Sequence, residues 1–451
     1  MIIRVHTKNF KSFESDTEIC FIASRGEQNL AHHVYKTGAL GLLRHSAIYG
    51  ANAAGKTNII RVFELIVASI QSGSVPLKYR ESFCKSKLGN RKKESFFDIQ
   101  FKYEDRVFEY GFSCNLFTRK ITREYLHELL ENKNAPRIIF ERDKQGNIVR
   151  GKSLDISSEN LTKTRIYEED FRGNTDRLYL KEINTNKKLD KECDLHLFEM
   201  AYEYLSEKII TLNTNEGFIS LGQLSSGENK KEIVELFQLF DTGVTELTWE
   251  KLDPAAWDEV LPKPKRERFL ERIEEKIRNG AKSVASIIHN RKGFFLYEQK
   301  ANEEHYKLQV LRFKHLSSPF SFSFDEESDG TRRLFEIVGV LLDSEPDRAY
   351  VIDEINRSLH PMLSKKFVEL FVERKKDSCS QLIFSTHEPL LLEENTFRRD
   401  EIWFVERGDD NTSKIFPLDQ FKNFAGRSNR VDYLDGRYGA IPRLRTSLRK
   451  H

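Results

Sequence analysis

The stretch Gly50-Ala51-Asn52-Ala53-Ala54-Gly55-Lys56-Thr57 decides the fold, because it matches the phosphate-binding pattern GxxxxGK(S/T) in full. It follows the strand-like residues 46–49 and precedes a helical stretch, residues 56–71. Small residues let backbone N–H groups converge on a triphosphate at the positive end of a helix. The motif and its context therefore predict a strand–loop–helix unit that binds ATP through Gly50, Asn52, Ala53, Ala54, Gly55, Lys56, Thr57 and Asn58.

The second half of such a site is an acidic residue at the end of an apolar strand. Residues 349–352 form an apolar run that ends in Asp353 and Glu354. We expect Asp353 and the Thr57 hydroxyl to hold Mg²⁺, and Lys56 to reach the β and γ phosphates. Glu354 is the predicted catalytic carboxylate that polarises the attacking water. ATP and Mg²⁺ are therefore the expected cofactors.

Three further segments distinguish an ABC-type ATPase from other phosphate-loop enzymes. Ser328-Asp329-Gly330-Thr331 lies at the position of the signature loop, whose Ser328 and Gly330 are expected to face the γ-phosphate of a second copy. Ser358-Leu359-His360-Pro361 follows Glu354, where such enzymes place a loop that crosses the dimer interface. His387 follows the next predicted strand, at the position of a catalytic switch histidine. Each segment alone is weak evidence, and the prediction depends on their order and spacing along the chain.

The segment Leu224-Ser225-Ser226-Gly227-Glu228 looks more like the usual signature LSGGQ than residues 328–331 do. It lies far upstream of Asp353, too far for its helix to pack beside the acidic strand in the usual arrangement. We therefore assign the signature to Ser328 and interpret residues 224–228 as a loop.

Hydrophobic periodicity predicts an α/β fold in three parts. Residues 1–150 and 321–451 are expected to form the two halves of an ABC-type ATPase head, with an antiparallel lobe and a parallel phosphate-loop core. Alternating apolar residues in 95–103 and 106–114 predict a half-buried hairpin. The polar segment 151–320 is interpreted as an α-rich insertion with a helix at 265–279, and a short helical hairpin remains open there.

Composition limits the other functions and locations that the protein could have. The 451 residues carry 73 basic and 70 acidic groups, so the net charge of +3 gives no general attraction to nucleic acid. Local clusters at 91–93, 263–268 and 443–450 are interpreted as solvated faces. Five scattered cysteines fit reduced thiols, and no apolar run approaches the ~18 residues of a membrane span. We expect a cytoplasmic protein without a membrane partner.

Taken together, several segments resemble SMC- and RecF-like ABC-type ATPases of bacterial antiphage defence, in particular AriA-type subunits of PARIS systems and RloA-type ATPases, with PtuA-type subunits further off. The segments are residues 9–13 (NFKSF), the phosphate loop, and residues 328–334, 351–361, 384–392 and 436–442. The resemblance implies a head that dimerises around two ATP molecules, as a homodimer or higher homo-oligomer. It also implies a separately encoded toxin or nuclease effector, of which a TOPRIM-type nuclease is one form, and a phage-encoded trigger protein or DNA.

Two features depart from the family pattern. Asp329 places a carboxylate close to the expected triphosphate, which Arg332 or Arg333 would have to offset. The glutamine loop is not located, because Gln100 lies on the polar face of an alternating strand and is expected to be exposed.

Three other functions stay open at this point. A RecF-like DNA-repair ATPase that binds DNA directly is the main rival, and a scaffold that binds ATP without hydrolysing it is the next. A transporter motor is disfavoured by the long insertion between Lys56 and Asp353.

Overall fold

The computed structural model describes residues 1–27, 29–38, 40–130, 135–185, 187, 189–190, 192–213, 218–219, 223–224, 227–253, 256–303, 305–393, 396–422 and 427–442. The chain forms two units. Unit 1 consists of Met1–Thr214, Glu345–Asn356 and Val368–His451, and unit 2 of Asn215–Ser344 and Arg357–Phe367.

This division differs from the predicted boundaries at residues 150 and 320. The stretch after residue 150 adds apolar side chains to the core of unit 1. The ring of Phe140 stacks on Phe198 with centroids 5.6 Å apart and meets Tyr179 edge-on at 5.2 Å. Buried aromatic pairs of this kind stabilise the fold, so residues as far as 208 continue the first unit although their composition is polar.

A mixed six-stranded sheet in unit 1 carries the phosphate loop. Its order is β11-β17-β18-β5-β19-β20, and only the pairing of β19 with β20 is antiparallel. The strands are β5 (His45–Gly50), β11 (Ile209–Leu212), β17 (Ala349–Ile352), β18 (Gln381–Ser385), β19 (Ile402–Arg407) and β20 (Ser413–Pro417). Because the parallel strands end at the same edge, the residues that follow β5, β17 and β18 meet there.

A seven-stranded antiparallel sheet forms the second layer of unit 1, in the order β10-β9-β8-β7-β6-β1-β2. Its strands are β1 (Ile2–Lys8), β2 (Thr17–Cys20), β6 (Ser95–Tyr103), β7 (Arg106–Asn115), β8 (Lys120–Glu128), β9 (Arg137–Arg142) and β10 (Ile148–Arg150). A separate pair joins β3 (Val34–Thr37) to β4 (Leu40–Leu43). The predicted α/β class, with an antiparallel lobe and a parallel phosphate-loop core, is confirmed.

The predicted hairpin exists as β6 and β7, but it is more deeply buried than expected. Asp98, on its polar face, is only 1% exposed. The hydroxyl of Tyr125 donates to this carboxylate at 2.7 Å, and Arg4 approaches it at 3.3 Å. Paired polar side chains therefore cover a face that alternation alone predicted to be in water.

The apolar side of helix α1 (Lys56–Ser72) joins the two sheets of unit 1. Ile59, Phe63 and Ile66 belong to the same buried cluster as Val351 in β17 and Phe97 in β6. The other helices of this unit are α2 (Ser158–Phe171), α3 (Tyr179–Ile183), α4 (His196–Glu203) with a π-helical turn (Tyr204–Lys208), and α10 (Asn429–Leu434).

Unit 2 contains a second antiparallel sheet that the sequence only partly indicated. It is built from β12 (Val244–Lys251), β13 (Ser283–Asn290), β14 (Gly293–Lys300), β15 (Lys307–His315) and β16 (Ser321–Phe322). Its helices are α5 (Gly227–Leu239), α6 (Trp257–Val260), α7 (Lys263–Arg278) and α8 (Asp329–Leu342), while α9 (Pro361–Arg374) has residues in both units. The predicted insertion is thus less α-rich than expected, because apolar residues of β14 and β15, such as Tyr297 and Leu308, share a buried core.

Among the helices described here, none is both long and apolar enough to cross a membrane. The basic cluster predicted at 443–450 lies outside the described residues.

Candidate functional site

The phosphate loop leaves the sheet at Gly50 and enters α1 at Lys56. Close packing explains why the two defined glycine positions of the motif, Gly50 and Gly55, hold glycine. A Cβ on Gly50 would lie 2.5 Å from the carbonyl oxygen of Val405. Gly55 has φ 120°, and a Cβ there would lie 2.8 Å from the hydroxyls of both Ser12 and Ser413. A larger residue at either position would displace the loop.

Side chains from other segments fix the shape of the loop. The Ser413 hydroxyl donates to the Ala54 carbonyl, and the Asn58 amide donates to the Ser12 hydroxyl at 2.8 Å. Arg407 donates to the Ala53 carbonyl at 3.3 Å. Groups of the protein itself therefore hold the loop in this shape.

The start of α1 offers donors to an anion. Gly55 is its N-cap and provides no side-chain cap, and no acidic residue lies in the first turn. The first N–H groups of a helix have no acceptor within the helix and carry partial positive charge. The predicted phosphate ligands therefore fit a triphosphate.

Lys56 is buried at the base of the loop, 6% exposed. Its ammonium donates to the carbonyls of Gly50 at 2.7 Å and Ala51 at 3.2 Å. Burial lowers the pKa of Lys56 from its usual value, and the carboxylates of Glu354 and Asp353 act against that shift. A triphosphate would add further negative charge and would hold this lysine in its charged form.

Asp353 directly follows β17 and is 3% exposed. Its Oδ1 accepts a hydrogen bond from Thr57 at 3.2 Å and another from Ser385 at 2.6 Å. Mg²⁺ prefers hard oxygen ligands, and a carboxylate beside a hydroxyl supplies two. Thr57 and Asp353, the residues predicted to hold Mg²⁺, therefore lie together and offer the oxygen ligands that this ion prefers.

Glu354 stands in a backbone conformation that side chains rarely adopt, with φ 47°. Its N–H donates to the Ser385 hydroxyl at 2.8 Å, which holds the residue in place. Left-handed backbone at a non-glycine residue stores strain and is concentrated at functional sites. The carboxylate predicted to polarise water is thus held at the edge where the parallel strands end.

His387 follows β18 and is exposed. The side-chain amide of Asn356 donates to its Nε2 at 3.1 Å, and the Asn356 oxygen accepts from Thr386 at 3.0 Å. Asn356, two residues after the acidic pair, therefore holds the predicted switch histidine in place.

The predicted signature belongs to unit 2, where Ser328 is the N-cap of α8 and accepts the N–H of Thr331 at 3.0 Å. A Cβ on Gly330 would lie 3.0 Å from the carbonyl oxygen of Ser358. Ser358 itself has φ 58°. The two segments predicted to meet a second copy therefore touch each other closely within this unit.

The carboxylate of Asp329 forms an ion pair with Arg332, while Arg333 pairs with Glu336 at 3.3 Å. Arg332 therefore offsets the negative charge of Asp329, as expected from the sequence.

Two other expectations need correction. Gln100 is half-buried and donates to Glu109 at 2.8 Å, so it is held in the antiparallel sheet instead of exposed. Gly227 and Glu228 begin helix α5, although residues 224–228 were expected to form a loop. Ser225 and Ser226 lie outside the described residues.

Sequence reasoning missed Ser12, Ser385, Asn356 and Ser413. Ser385 could have been found, because it ends a strand next to β17 and the carboxyl ends of parallel strands converge. Asn356 follows the acidic pair by two residues, a weaker signal. Ser12 and Ser413 come from distant segments, and no local pattern marks their contact with the loop.

Residues 242–393 match a family model described as "AAA domain, putative AbiEii toxin, Type IV TA system". The match spans about a third of the chain and contains Ser328, Asp353, Glu354 and His387 but not the phosphate loop. No curated protein matches the chain significantly.

Solved structures of SMC heads are similar at low identity. The SMC head bound to the C-terminal winged-helix domain of ScpA has 13% identity and a TM-score of 0.41, with 92% of this chain and 97% of that chain covered. The SMC head domain from Thermotoga maritima has 14% identity and a TM-score of 0.35, with 92% and 98% covered. An SMC head with an extended coiled coil, bound to the C-terminal domain of ScpA and derived from Pyrococcus furiosus, has 14% identity and a TM-score of 0.37, with 92% and 96% covered. Nothing about substrates or partners follows from similarity at this level.

Proposed function

We propose that this protein is an ATP-binding and ATP-hydrolysing ABC-type ATPase. One observation carries the proposal: the Thr57 hydroxyl contacts the Asp353 carboxylate at 3.2 Å across 296 residues of sequence. The contact brings together a phosphate loop, an uncapped helix start and a carboxylate with the oxygen ligands that Mg²⁺ prefers.

In the proposed reaction, Lys56 and the first N–H groups of α1 bind and orient the phosphates. Thr57 and Asp353 would hold Mg²⁺, and the ion would supply positive charge to offset that of the phosphate oxygens. Glu354 orients and polarises the attacking water, and His387, held by Asn356, contacts the γ-phosphate.

The site in unit 1 is proposed to be half of the catalytic unit. Ser328 and Gly330 of a second copy would complete it, so the working form is a homodimer or higher homo-oligomer. The position of Ser328 at the start of α8 supports this assignment, and Arg332 offsets the charge of Asp329 in the first turn of that helix.

The biological role proposed is antiphage defence, with ATP-dependent assembly controlling a separately encoded toxin or nuclease in the cytoplasm, in response to a phage protein or DNA. The description of the matching family, which names a toxin and a toxin–antitoxin system, supports this role. So does the resemblance of the motif segments to defence ATPases.

The hydrolysis proposal is tested by comparing wild type with Glu354→Gln and Lys56→Ala. We expect Glu354→Gln to bind ATP, to lose at least about 100-fold in kcat, and to accumulate as an ATP-bound dimer in size-exclusion chromatography with light scattering. Lys56→Ala should not bind ATP. Equal, negligible turnover in wild type and Glu354→Gln would leave only a scaffold, and unchanged ATP affinity in Lys56→Ala would refute the site.

The defence role is tested separately. The protein is purified from its native operon, and cells that carry the operon, with and without Lys56→Ala, are challenged with phage. Protection that requires Lys56 supports the proposal. Strong stimulation of hydrolysis by DNA ends or gaps, without protection and without a toxic partner, would instead indicate a DNA-repair ATPase.

A further inference from the structure

A buried cluster of His33, His45 and Glu401 lies in unit 1, away from the phosphate loop. His33 ends a short 3₁₀ helix (Ala31–His33), His45 opens β5, and Glu401 immediately precedes β19. The exposed fractions of the three residues are 5%, 0% and 0%. Since the phosphate loop leaves the far end of β5, the cluster is at the opposite edge of the parallel sheet.

The three side chains present their ligand atoms to one another. Nδ1 of His33 lies 3.1 Å from Oε1 of Glu401, and Nε2 of His45 lies 3.3 Å from Oε2 of the same carboxylate. One ligand atom from each residue can be chosen so that all of them lie within 4.8 Å of one another.

The hydrogen-bonding groups of the His45 ring have no partner in this arrangement of the described residues. Neither of its ring nitrogens forms a hydrogen bond with the described residues, because the approach of Nε2 to Glu401 does not have hydrogen-bond geometry. Leaving a buried polar group without a hydrogen bond destabilises the folded chain. A fully buried imidazole aimed at a carboxylate, with no hydrogen bond between them, is what a missing ligand between the two groups would leave.

We propose that His33, His45 and Glu401 form a binding site for a divalent transition metal of the zinc class. Zinc takes imidazole nitrogen and carboxylate oxygen at roughly 2.0–2.2 Å in tetrahedral geometry, which separates neighbouring ligand atoms by about 3.3 Å. Oε2 of Glu401 lies 3.2 Å from Nδ1 of His33 and 3.3 Å from Nε2 of His45, and both distances match that edge. Only the gap between the two imidazoles has to close as the metal enters.

A cavity of about 330 Å³ is lined by the cluster histidines and by His32, Glu369 and Glu373, the last two one turn apart on α9. It has room for a water ligand. The two carboxylates would offset the positive charge of the metal site.

Two guanidinium groups near the cluster are already occupied, and Lys376 is a further cation that lines the cavity. The guanidinium of Arg398 is paired with Asp400 at 2.7 Å, and that of Arg44 donates to the carbonyls of Lys375 and Lys376. Neither guanidinium therefore takes the ligand atoms of Glu401.

The metal would join three chain segments that are far apart in sequence. It would fix the start of β5 against the start of β19, the neighbouring strand that also contacts the phosphate loop at its other end. The proposed role is thus structural, and it does not depend on the ATPase proposal.

The test uses the full chain without a polyhistidine tag, stripped with a chelator and kept free of nucleotide. Zn²⁺ alone is titrated against a competing indicator, and bound zinc is counted by elemental analysis. We expect one tight equivalent per chain and a higher Tm with zinc. Glu401→Gln, which keeps the side-chain shape, should weaken binding by at least about 100-fold.

Two controls separate this site from other divalent sites. Asp353→Asn removes the predicted Mg²⁺ ligand and should leave zinc binding unchanged. His6→Gln removes a partly exposed histidine paired with Asp16 elsewhere in unit 1 and should also have no effect.

A spectroscopic readout on wild type avoids dependence on folding of the variants. Co²⁺ in place of zinc should give wild type the intense visible absorption of a tetrahedral centre. Absence of stoichiometric zinc in wild type, equal affinity in Glu401→Gln, or a purely octahedral Co²⁺ spectrum would each overturn the proposal and leave a hydrogen-bonded cluster.

Discussion

The hydroxyl of Ser385 donates a 2.6 Å hydrogen bond to Oδ1 of Asp353, from one parallel strand end to the next. The hydroxyl oxygen of Ser385 also accepts the N–H of Glu354 at 2.8 Å. One side chain therefore orients the predicted metal ligand and holds the backbone of the predicted catalytic carboxylate. Both functional acids depend on the register between β17 and β18.

Replacing Ser385 by Ala should damage catalysis more than nucleotide binding. We expect kcat to fall by about 10- to 100-fold, since a residue that orients a metal ligand typically contributes this much. Unfolding free energy should fall by about 1–3 kcal/mol, because the buried Asp353 loses a donor. Steady-state hydrolysis at varied Mg²⁺ and nucleotide binding without Mg²⁺ measure the two effects.

Ser380→Ala is the matched control for this change. Ser380 is fully buried just before β18, and its hydroxyl has no hydrogen-bond partner among the described residues. It should leave kcat unchanged. If both variants keep wild-type kcat and Mg²⁺ dependence, Ser385 does not position Asp353.

Replacing Asn356 by Ala should release His387. Its amide donates to the histidine at 3.1 Å while its oxygen accepts from Thr386, so both ends fix the group. A misplaced catalytic group costs on the order of 10- to 100-fold in rate. We expect that loss in kcat with little change in ATP affinity, measured by hydrolysis and by equilibrium binding.

Asn147→Ala removes an exposed amide that donates to Asp143 and should have no effect on either quantity. Equal kcat in Asn356→Ala and wild type would show that Asn356 does not position His387.

The phosphate loop and the α/β core could be predicted because their signals are local. The pattern at 50–57 and the apolar run at 349–352 each fall within one strand and its next turn. The contact between Thr57 and Asp353 then follows from the rule that parallel strands end at the same edge.

The remaining features depend on contacts between distant segments. Ser413 reaches the phosphate loop from β20, and Glu401 meets His33 across nearly the whole chain. The place of residues 151–208 in unit 1 depends on aromatic packing such as that of Phe140 on Phe198. Composition identified that segment as polar and could not show which of its side chains are buried.

Gly330→Ala should weaken the proposed signature. The new Cβ would lie 3.0 Å from the carbonyl oxygen of Ser358, so one of the two segments has to shift. Alanine in a helix is ordinarily more stable than glycine by about 1 kcal/mol, and here the close contact opposes that gain. We expect ATP-dependent dimerisation and kcat to fall, as measured by light scattering and hydrolysis.

Gly227→Ala is the corresponding control, because Gly227 begins helix α5 and no atom of the described residues lies within 4 Å of its added Cβ. It should leave dimerisation unchanged. Equal dimerisation in Gly330→Ala and wild type would count against the assignment of residues 328–331 as the signature.

Asp98 should make stability depend on pH. Burial raises the pKa of its carboxyl to about 6, a rise that hydrogen bonds from Tyr125 and Arg4 oppose. The usual value is 3.8, so between pH 3.8 and 6 the folded chain holds a proton that the unfolded chain has lost. Stability contributed by this group is therefore lost as pH rises through that window, by on the order of 3 kcal/mol.

Asp98→Asn removes this titration. Chemical denaturation from pH 4.5 to 7 should show wild type losing stability relative to Asp98→Asn as pH rises. Asp105→Asn, at an exposed turn between β6 and β7, should instead run parallel to wild type. If all three pH profiles are parallel, Asp98 is ionised across the range in the folded chain, and its contacts with Arg4 and Tyr125 outweigh the cost of burial.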